Sequence, residues 1–122
     1  AGVVGRIIMP ARRAAKVQLL IDRDAAAGAI VERSRAQGVV VGTGTDRFRL
    51  DHVPGAADIQ VGDRVVTSGI EGIYPKGFLL GQIQSIDRQS GEFTNVVVDP
   101  AVQFSELETV LVVVTPTPGE AQ

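Results

Sequence analysis

Residues 62–83 read GDRVVTSGIEGIYPKGFLLGQI, and this stretch decides the fold. Two short apolar runs, residues 64–67 and 78–83, flank a loop that is rich in glycine. Apolar runs that glycine and proline close off on both sides predict two β-strands joined by a shaped turn. Gly62 and Asp63 form a turn dipeptide before the first strand, and we expect the Asp63 carboxylate to bond backbone N–H groups one or two residues on.

The loop between these two strands is expected to be tightly shaped and apolar. Gly69, Gly72 and Gly77 indicate backbone conformations with φ above zero, in which a Cβ would clash. Pro75 restricts the same loop further. Its apolar side chains are Ile70, Ile73, Tyr74 and Phe78. We expect these four either to contact a partner, a role that suits tyrosine, or to fold back and close one end of a barrel.

Length and composition fit one ordinary domain or two small ones. The chain has 122 residues, of which 14 are glycine and 44% are hydrophobic, with few aromatics. It contains no cysteine, which excludes a disulfide scaffold, a zinc–thiolate site and a thiol nucleophile. No apolar run reaches the roughly 18–20 residues of a membrane span, and no secretory signal is present. These features are typical of a turn-rich β domain.

Charge is nearly balanced but unevenly distributed. Residues 1–50 hold nine basic and four acidic residues, a net of +5, while residues 51–122 hold three and ten, a net of −7. This asymmetry fits ordinary solvated strand faces, or alternatively a dipolar surface that associates head to tail. Nucleic-acid binding is not expected, because the basic residues form no dense stripe and only Phe48 lies among them as a stacking platform.

Further strands are predicted along the chain, at residues 3–9, 16–22, 29–33, 38–41, 47–53, 78–87, 93–99 and 109–115. The alternation of residues 47–53 indicates a half-buried strand. The alanine-rich stretch 11–36 has a local preference for helix, but we expect strands there. Ser105 and Glu108 match a capping box, which predicts one helical turn within residues 100–108. Many short strands with regular turn signals predict small barrels or a sandwich.

No catalytic or metal-binding motif is present. Ser68, His52 and several aspartates would suggest a serine hydrolase, which needs a base within reach of the nucleophile. However, no G-x-S-x-G elbow occurs, so we expect Ser68 to bond turn backbone and His52 to be a face residue of a strand. One histidine with no cysteine makes a metal site unexpected. Residues 42–45 (GTGT) lack the lysine and helix of a phosphate loop and predict a hairpin turn.

The segment 62–83 resembles the periplasmic domain of the bacterial rod shape-determining MreC family. The shared pattern is a G-D-x-V-V-T-S-G strand, a glycine loop with Y/F-P-x-G, and a strand with a further glycine. The matching residues are Gly62, Asp63, Val65, Val66, Thr67, Ser68, Gly69, Gly72, Tyr74, Pro75, Lys76, Gly77 and Gly81. Residues 2–8 (GVVGRII), 16–22 (KVQLLID), 38–44 (GVVVGTG), 49–58 (RLDHVPGAAD) and 107–113 (LETVLVV) also fall in family order.

The resemblance implies an all-β fold in which one small β-barrel, residues 23–106, is inserted into a second, incomplete β-barrel. Residues 1–22 and 107–115 would form the incomplete barrel, and residues 116–122 a flexible tail. A membrane helix and a coiled coil would precede residue 1. Residues 10–15 (PARRAA) depart from the polar turn that is usual in the family.

The resemblance also implies a function without catalysis or cofactor. It is that of a scaffold of the elongation (rod) complex, anchored at the periplasmic face of the bacterial inner membrane only through the upstream helix. Its partners would be a class B penicillin-binding transpeptidase, MreD, RodA, the actin-like MreB, and further copies of itself. The alternative is an unrelated β-barrel periplasmic adaptor of a membrane-fusion or secretion system. The Y-P-x-G loop and the closing L-E-x-V-L-V strand argue against that alternative.

Overall fold

The protein is built from β-strands, and the computed structural model describes residues 2–10, 15–54, 56–70, 74–87 and 95–102. The strands are β1 (Gly5–Pro10), β2 (Ala15–Leu19), β3 (Ala26–Val31), β4 (Gln37–Gly42), β5 (Phe48–Asp51), β6 (Arg64–Thr67), β7 (Leu79–Asp87) and β8 (Asn95–Pro100). Every regular element within these ranges is a strand, so the predicted all-β class is confirmed. None of these residues belongs to a helix that is long and apolar enough to cross a membrane.

Six strands close into an antiparallel barrel with the order β3-β4-β5-β8-β7-β6, in which β6 pairs back with β3. Because each of these strands has two neighbours, the barrel leaves no unpaired strand edge. In β5, Phe48 and Leu50 are buried while Arg49 is exposed, which is the period of two expected of a barrel wall. The largest fully buried side chains are Leu20, Val31, Val40, Phe48, Leu50, Val53, Val65, Thr67, Leu80, Ile83, Val96 and Val98. The barrel is therefore a packed core.

Antiparallel pairing assigns each connection to one of the two barrel ends. Strands β3, β5 and β7 run in one direction and β4, β6 and β8 in the other. The loop between β6 and β7, and residues 20–25 ahead of β3, consequently lie at one end, here called the hairpin end. The turn between β3 and β4, and the segment that joins β5 to β6, lie at the opposite end, here called the far end.

Strands β1 and β2 form a separate two-stranded sheet that is attached to the hairpin end. Val3 N donates to Leu79 O at 2.9 Å, and Leu20 N donates to Val4 O at 2.8 Å. The Leu20 side chain is fully buried within the barrel core. A two-stranded sheet has little stability alone in water, so these anchors fix the base of the hairpin to the barrel.

Two glycines supply space where neighbouring segments touch. A Cβ at Gly42 would lie 1.9 Å from Asp22 O, and a Cβ at Gly81 would lie 2.2 Å from Asp99 O. Neither distance is compatible with van der Waals contact. Gly81 belongs to the motif quoted above and lies where β7 pairs with β8. This position requires a residue without a side chain, because a Cβ would overlap the β8 backbone.

Within the described residues the predicted strands occur in the predicted order, and β6 has the predicted bounds. The strand predicted over residues 47–53 is wrong at its end, because β5 stops at Asp51 and His52 adopts a left-handed φ of 63° that breaks the ladder. Within the alanine-rich stretch the described residues form β2 and β3, since strand pairing overrides a weak local preference for helix. The capping box, the closing strand 109–115 and the tail 116–122 lie outside the described residues.

Candidate functional site: the loop between β6 and β7

Thr67 closes the loop at the hairpin end. It is the last residue of β6 and is fully buried. Its Oγ1 donates to Pro75 O and accepts a hydrogen bond from Phe78 N at 2.8 Å. Its backbone N donates to Phe78 O, and its carbonyl accepts from Gly77 N, both at 2.8 Å. One side chain and its own backbone therefore tie the two sides of the loop together.

The two described glycines of the loop adopt the conformations that the sequence predicts. Gly69 has φ 74° and Gly77 has φ 91°, both in the left-handed region that favours glycine. Gly69 also lies close to Lys76, because a Cβ at residue 69 would lie 3.0 Å from the Lys76 Cβ. Gly72 lies outside the described residues. The backbone of the loop is thus shaped by glycine at both of its described corners.

The apolar side chains of the loop differ in burial. Tyr74 is only 5% exposed and belongs to the barrel core. Ile70 is 70% exposed and Phe78 is 43% exposed, while Ile73 lies outside the described residues. Tyr74 therefore occupies the position of a plug at the hairpin end. Ile70 and Phe78 are the apolar side chains that the described part of the loop presents to solvent.

Asp63 immediately precedes β6 at the far end, and Arg33 binds its carboxylate there. The guanidinium Nε and Nη2 atoms lie 3.0 Å from Oδ1 and Oδ2 of Asp63, and Gln60 N donates to Oδ2 at 2.9 Å. The hydrogen bond from Arg33 is the main reason that the pKa of Asp63 lies below its usual value. Burial acts in the opposite direction, and the bond from Gln60 lowers the pKa further. The backbone donor precedes Asp63 by three residues, so the expected bonds to residues one or two positions later are wrong.

Arg33 was not identified from the sequence, because it lies 30 residues away from Asp63 and no local pattern links them. The same guanidinium binds the Asp58 carboxylate, with Nη1–Oδ2 at 3.0 Å and Nη2–Oδ1 at 3.1 Å. Arg33 therefore joins the turn between β3 and β4 to two points of the segment that leads into β6. The only available signal was an arginine at the end of the strand predicted over residues 29–33, and such a residue is uninformative by itself.

Ser68 and His52 lie at opposite ends of the barrel. Ser68 follows β6 at the hairpin end, and its Oγ accepts a hydrogen bond from Ile70 N at 3.4 Å, the turn role that was predicted. His52 follows β5 at the far end, so its predicted position on a strand face is wrong. A base and a nucleophile must lie within hydrogen-bond reach, and this pair does not. Within the described ranges, no three His, Asp or Glu side chains are grouped as a metal site requires.

These observations define the class of the protein as a small closed β-barrel with a shaped apolar loop at one end. The sequence model of the family "Rod shape-determining protein MreC, barrel core" matches residues 1–114. The chain therefore belongs to the MreC family. This membership excludes an unrelated β-barrel adaptor, and the predicted resemblance is confirmed.

Curated relatives agree with this assignment. The chain is 36% identical over 97 residues to the cell shape-determining protein MreC of Haemophilus influenzae, covering 79% of this chain and 28% of that protein. It is 36% identical over 86 residues to the protein of the same name of Escherichia coli K12, covering 70% of this chain and 23% of that protein. The chain thus spans about a quarter of the length of these two curated relatives.

Solved structures share the fold. One MreC structure superimposes with a TM-score of 0.83 at 29% identity, covering 87% of this chain and 61% of that one. MreC from Pseudomonas aeruginosa gives a TM-score of 0.75 at 28% identity, covering 83% and 68%. A Helicobacter pylori chain, from a complex between Penicillin-Binding Protein (PBP2) and MreC, gives 0.65 at 23% identity, covering 72% and 55%. At that identity the third likeness shows the fold alone.

Proposed function

We propose that this barrel is a non-enzymatic docking module of a cell-shape scaffold, and that it binds a class B penicillin-binding transpeptidase through the loop between β6 and β7. The observation that carries the proposal is the exposure of Ile70 and Phe78 on a loop whose described residues are held by hydrogen bonds with Thr67 and Ser68. The solved complex of a Helicobacter pylori relative with a penicillin-binding protein supports this choice of partner.

The hydrogen bonds of the described loop residues suit a binding surface for a physical reason. Association costs less when the contact groups are already ordered, and here Thr67 and the buried Tyr74 order the loop in advance. Phe78 supplies aromatic area of the kind that dominates interface energies, and Ile70 supplies aliphatic area on the same loop. Ile73 is included in the proposed surface on its sequence position alone.

The wider assembly is part of the same proposal. The whole protein is anchored at the periplasmic face of the inner membrane by a helix upstream of residue 1, and it acts with MreD, RodA and MreB to direct lateral wall synthesis. Binding shifts the transpeptidase between conformations for which the scaffold has different affinity. Separation of Ser68 from His52 supports a role without catalysis.

We further propose that residues 1–22 and 107–115 form a second β unit, distinct from the barrel within residues 23–106. Ile7 and Val17 support this, because they are directly paired across β1 and β2 and are 39% and 44% exposed. Sheet edges and apolar pairs of this kind are normally covered by further chain. Residues 107–115 supply a strand of suitable pattern, and a second copy of the protein provides the route to self-association.

Calorimetric titration of the chain with the periplasmic part of the transpeptidase tests the docking proposal. We expect Ile70→Ser and Phe78→Ser each to weaken binding by about 1–3 kcal/mol, the range of interface anchors, without lowering the melting temperature. Val61→Ser is the matched control, since Val61 is 65% exposed but lies at the far end. Equal binding by all three variants and the parent chain would refute the docking surface.

A further inference from the structure

Two non-glycine residues adopt a left-handed backbone among the described residues, and both lie at the far end. Arg35, in the turn between β3 and β4, has φ 65°, and His52, after β5, has φ 63°. The four other left-handed positions that the structure describes are occupied by Gly44, Gly62, Gly69 and Gly77. Glycine therefore occupies four of the six left-handed positions that the structure describes. The chain retains a side chain at two positions where glycine would be less strained.

Both residues line the same groove. The groove has a volume of about 500 Å³ and lies between residues 34–37 on one side and His52, Pro54, Ala57 and Asp58 on the other. It forms because β4 begins where β5 ends, with Val39 paired to Asp51. A volume of this size accommodates several bonded groups of a ligand rather than a single ion. Pro54 and Ala57 give the groove an apolar side.

The groove carries one positive charge that no described carboxylate neutralises. Asp58 is engaged by Arg33 at 3.0 Å. The ion pairs of the described residues involve Arg33, Arg47, Arg49 and Arg64 but not Arg35. Among the residues that the structure describes, the Arg35 guanidinium therefore keeps its donors available to a ligand. A guanidinium with free donors binds carboxylates in a planar, bidentate manner.

We propose that this far-end groove is a second binding site, and that it takes a carboxylate-bearing peptide segment. One carboxylate binds the Arg35 guanidinium, and an adjacent small apolar side chain packs on Pro54 and Ala57. The left-handed backbone of Arg35 holds the guanidinium at the groove, so backbone strain is retained for binding. The site lies at the barrel end opposite to the loop of Ile70 and Phe78. The test of this site is therefore independent of the test of the proposed transpeptidase contact.

The test is an NMR titration of the chain with a pentapeptide, acetyl-Ala-Glu-Leu-Glu-Ala-amide, observed through backbone amides. We expect shifts confined to residues 34–37 and 52–58, with a Kd on the order of 1 mM or below. The same peptide with both Glu replaced by Gln should not bind. Arg35→Gln should weaken binding by roughly tenfold or more, as expected for loss of a charge-assisted bond.

Two further variants separate binding from folding. Arg35→Gly relieves the left-handed backbone, so it should melt at the same or a higher temperature than the parent chain while losing the peptide. Arg23→Gln is the matched control, because Arg23 is an exposed arginine at the hairpin end. The proposal is overturned by unchanged affinity in Arg35→Gln, by shifts that map elsewhere, by equal shifts with sodium acetate alone, or by no shifts at about 10 mM peptide.

Discussion

Arg33 donates hydrogen bonds to both carboxylate oxygens of Asp63, with Nε–Oδ1 and Nη2–Oδ2 distances of 3.0 Å each. The backbone of Asp63 is bound as well, because its carbonyl accepts from Ile83 N at 2.9 Å and its N donates to Gln60 O at 3.1 Å. The contacts of these two residues link the turn after β3, the start of β6 and the middle of β7. They close the far end of the barrel, as Thr67 closes the hairpin end.

Asp63→Asn should destabilise the fold. The amide cannot accept two bonds from the guanidinium and also one from Gln60, so we expect a loss of about 1.5–3 kcal/mol in the free energy of unfolding, the range of a hydrogen bond to a charged group. Urea unfolding at neutral pH measures it. Asp46→Asn is the control, because the Asp46 side chain is 85% exposed in its ion pair with Arg47, and exposed pairs contribute little. Equal midpoints for the two variants would show that the Arg33 contact contributes nothing.

The contribution of Asp63 should also depend on pH. Its pKa in the folded state is held below the usual value, first by Arg33. Its stabilising effect is therefore complete above the unfolded-state pKa of about 4 and is lost as the pH falls through the lower, folded-state pKa. The difference in unfolding free energy between the parent chain and Asp63→Asn should shrink on acidification below pH about 4. A difference that grows toward acid pH would contradict the assigned direction.

Thr67→Val should loosen the loop between β6 and β7. Valine has nearly the same shape, but it leaves Pro75 O and Phe78 N without the hydroxyl that each contacts. We expect a loss of about 1–3 kcal/mol, the cost of buried polar groups left unsatisfied. Thr67→Ser keeps the hydroxyl and removes one methyl group, so it should cost less, about 0.8 kcal/mol. If Ser costs more than Val in urea unfolding, packing rather than hydrogen bonding dominates at this position.

The strands of this barrel could be predicted because their signals are local. Residues 64–67 are bracketed by turn residues, and Phe48 and Leu50 alternate with arginine. The contact between Arg33 and Asp63 could not be predicted, since it depends on how β3 and β6 come together in the closed barrel. The different burial of Tyr74 and Phe78 could not be predicted either. Both are aromatic residues of one loop, and only the completed core decides which of them fits inside.

Ser68→Ala and His52→Asn should leave cell-shape complementation intact when introduced into the whole protein. The two side chains lie at opposite ends of the barrel, so neither can activate the other. Asparagine is chosen at position 52 because it tolerates the left-handed backbone. Circular dichroism of each variant controls for folding. Hydrolysis of peptide or peptidoglycan by the parent chain that disappears in either variant would refute the non-enzymatic proposal.

Tyr74→Ala separates the two roles that were open for the loop. Because Tyr74 is 5% exposed and packs in the core, its truncation should leave a cavity and lower stability by about 3–5 kcal/mol, as for other large aromatic residues. Affinity for the transpeptidase, expressed per folded molecule, should change far less than in Phe78→Ser, whose side chain is 43% exposed. Thermal melting and calorimetric titration of both variants measure the two quantities. If the Tyr74→Ala chain melted normally but no longer bound the transpeptidase, Tyr74 would be an interface residue and not a core residue that closes the barrel end.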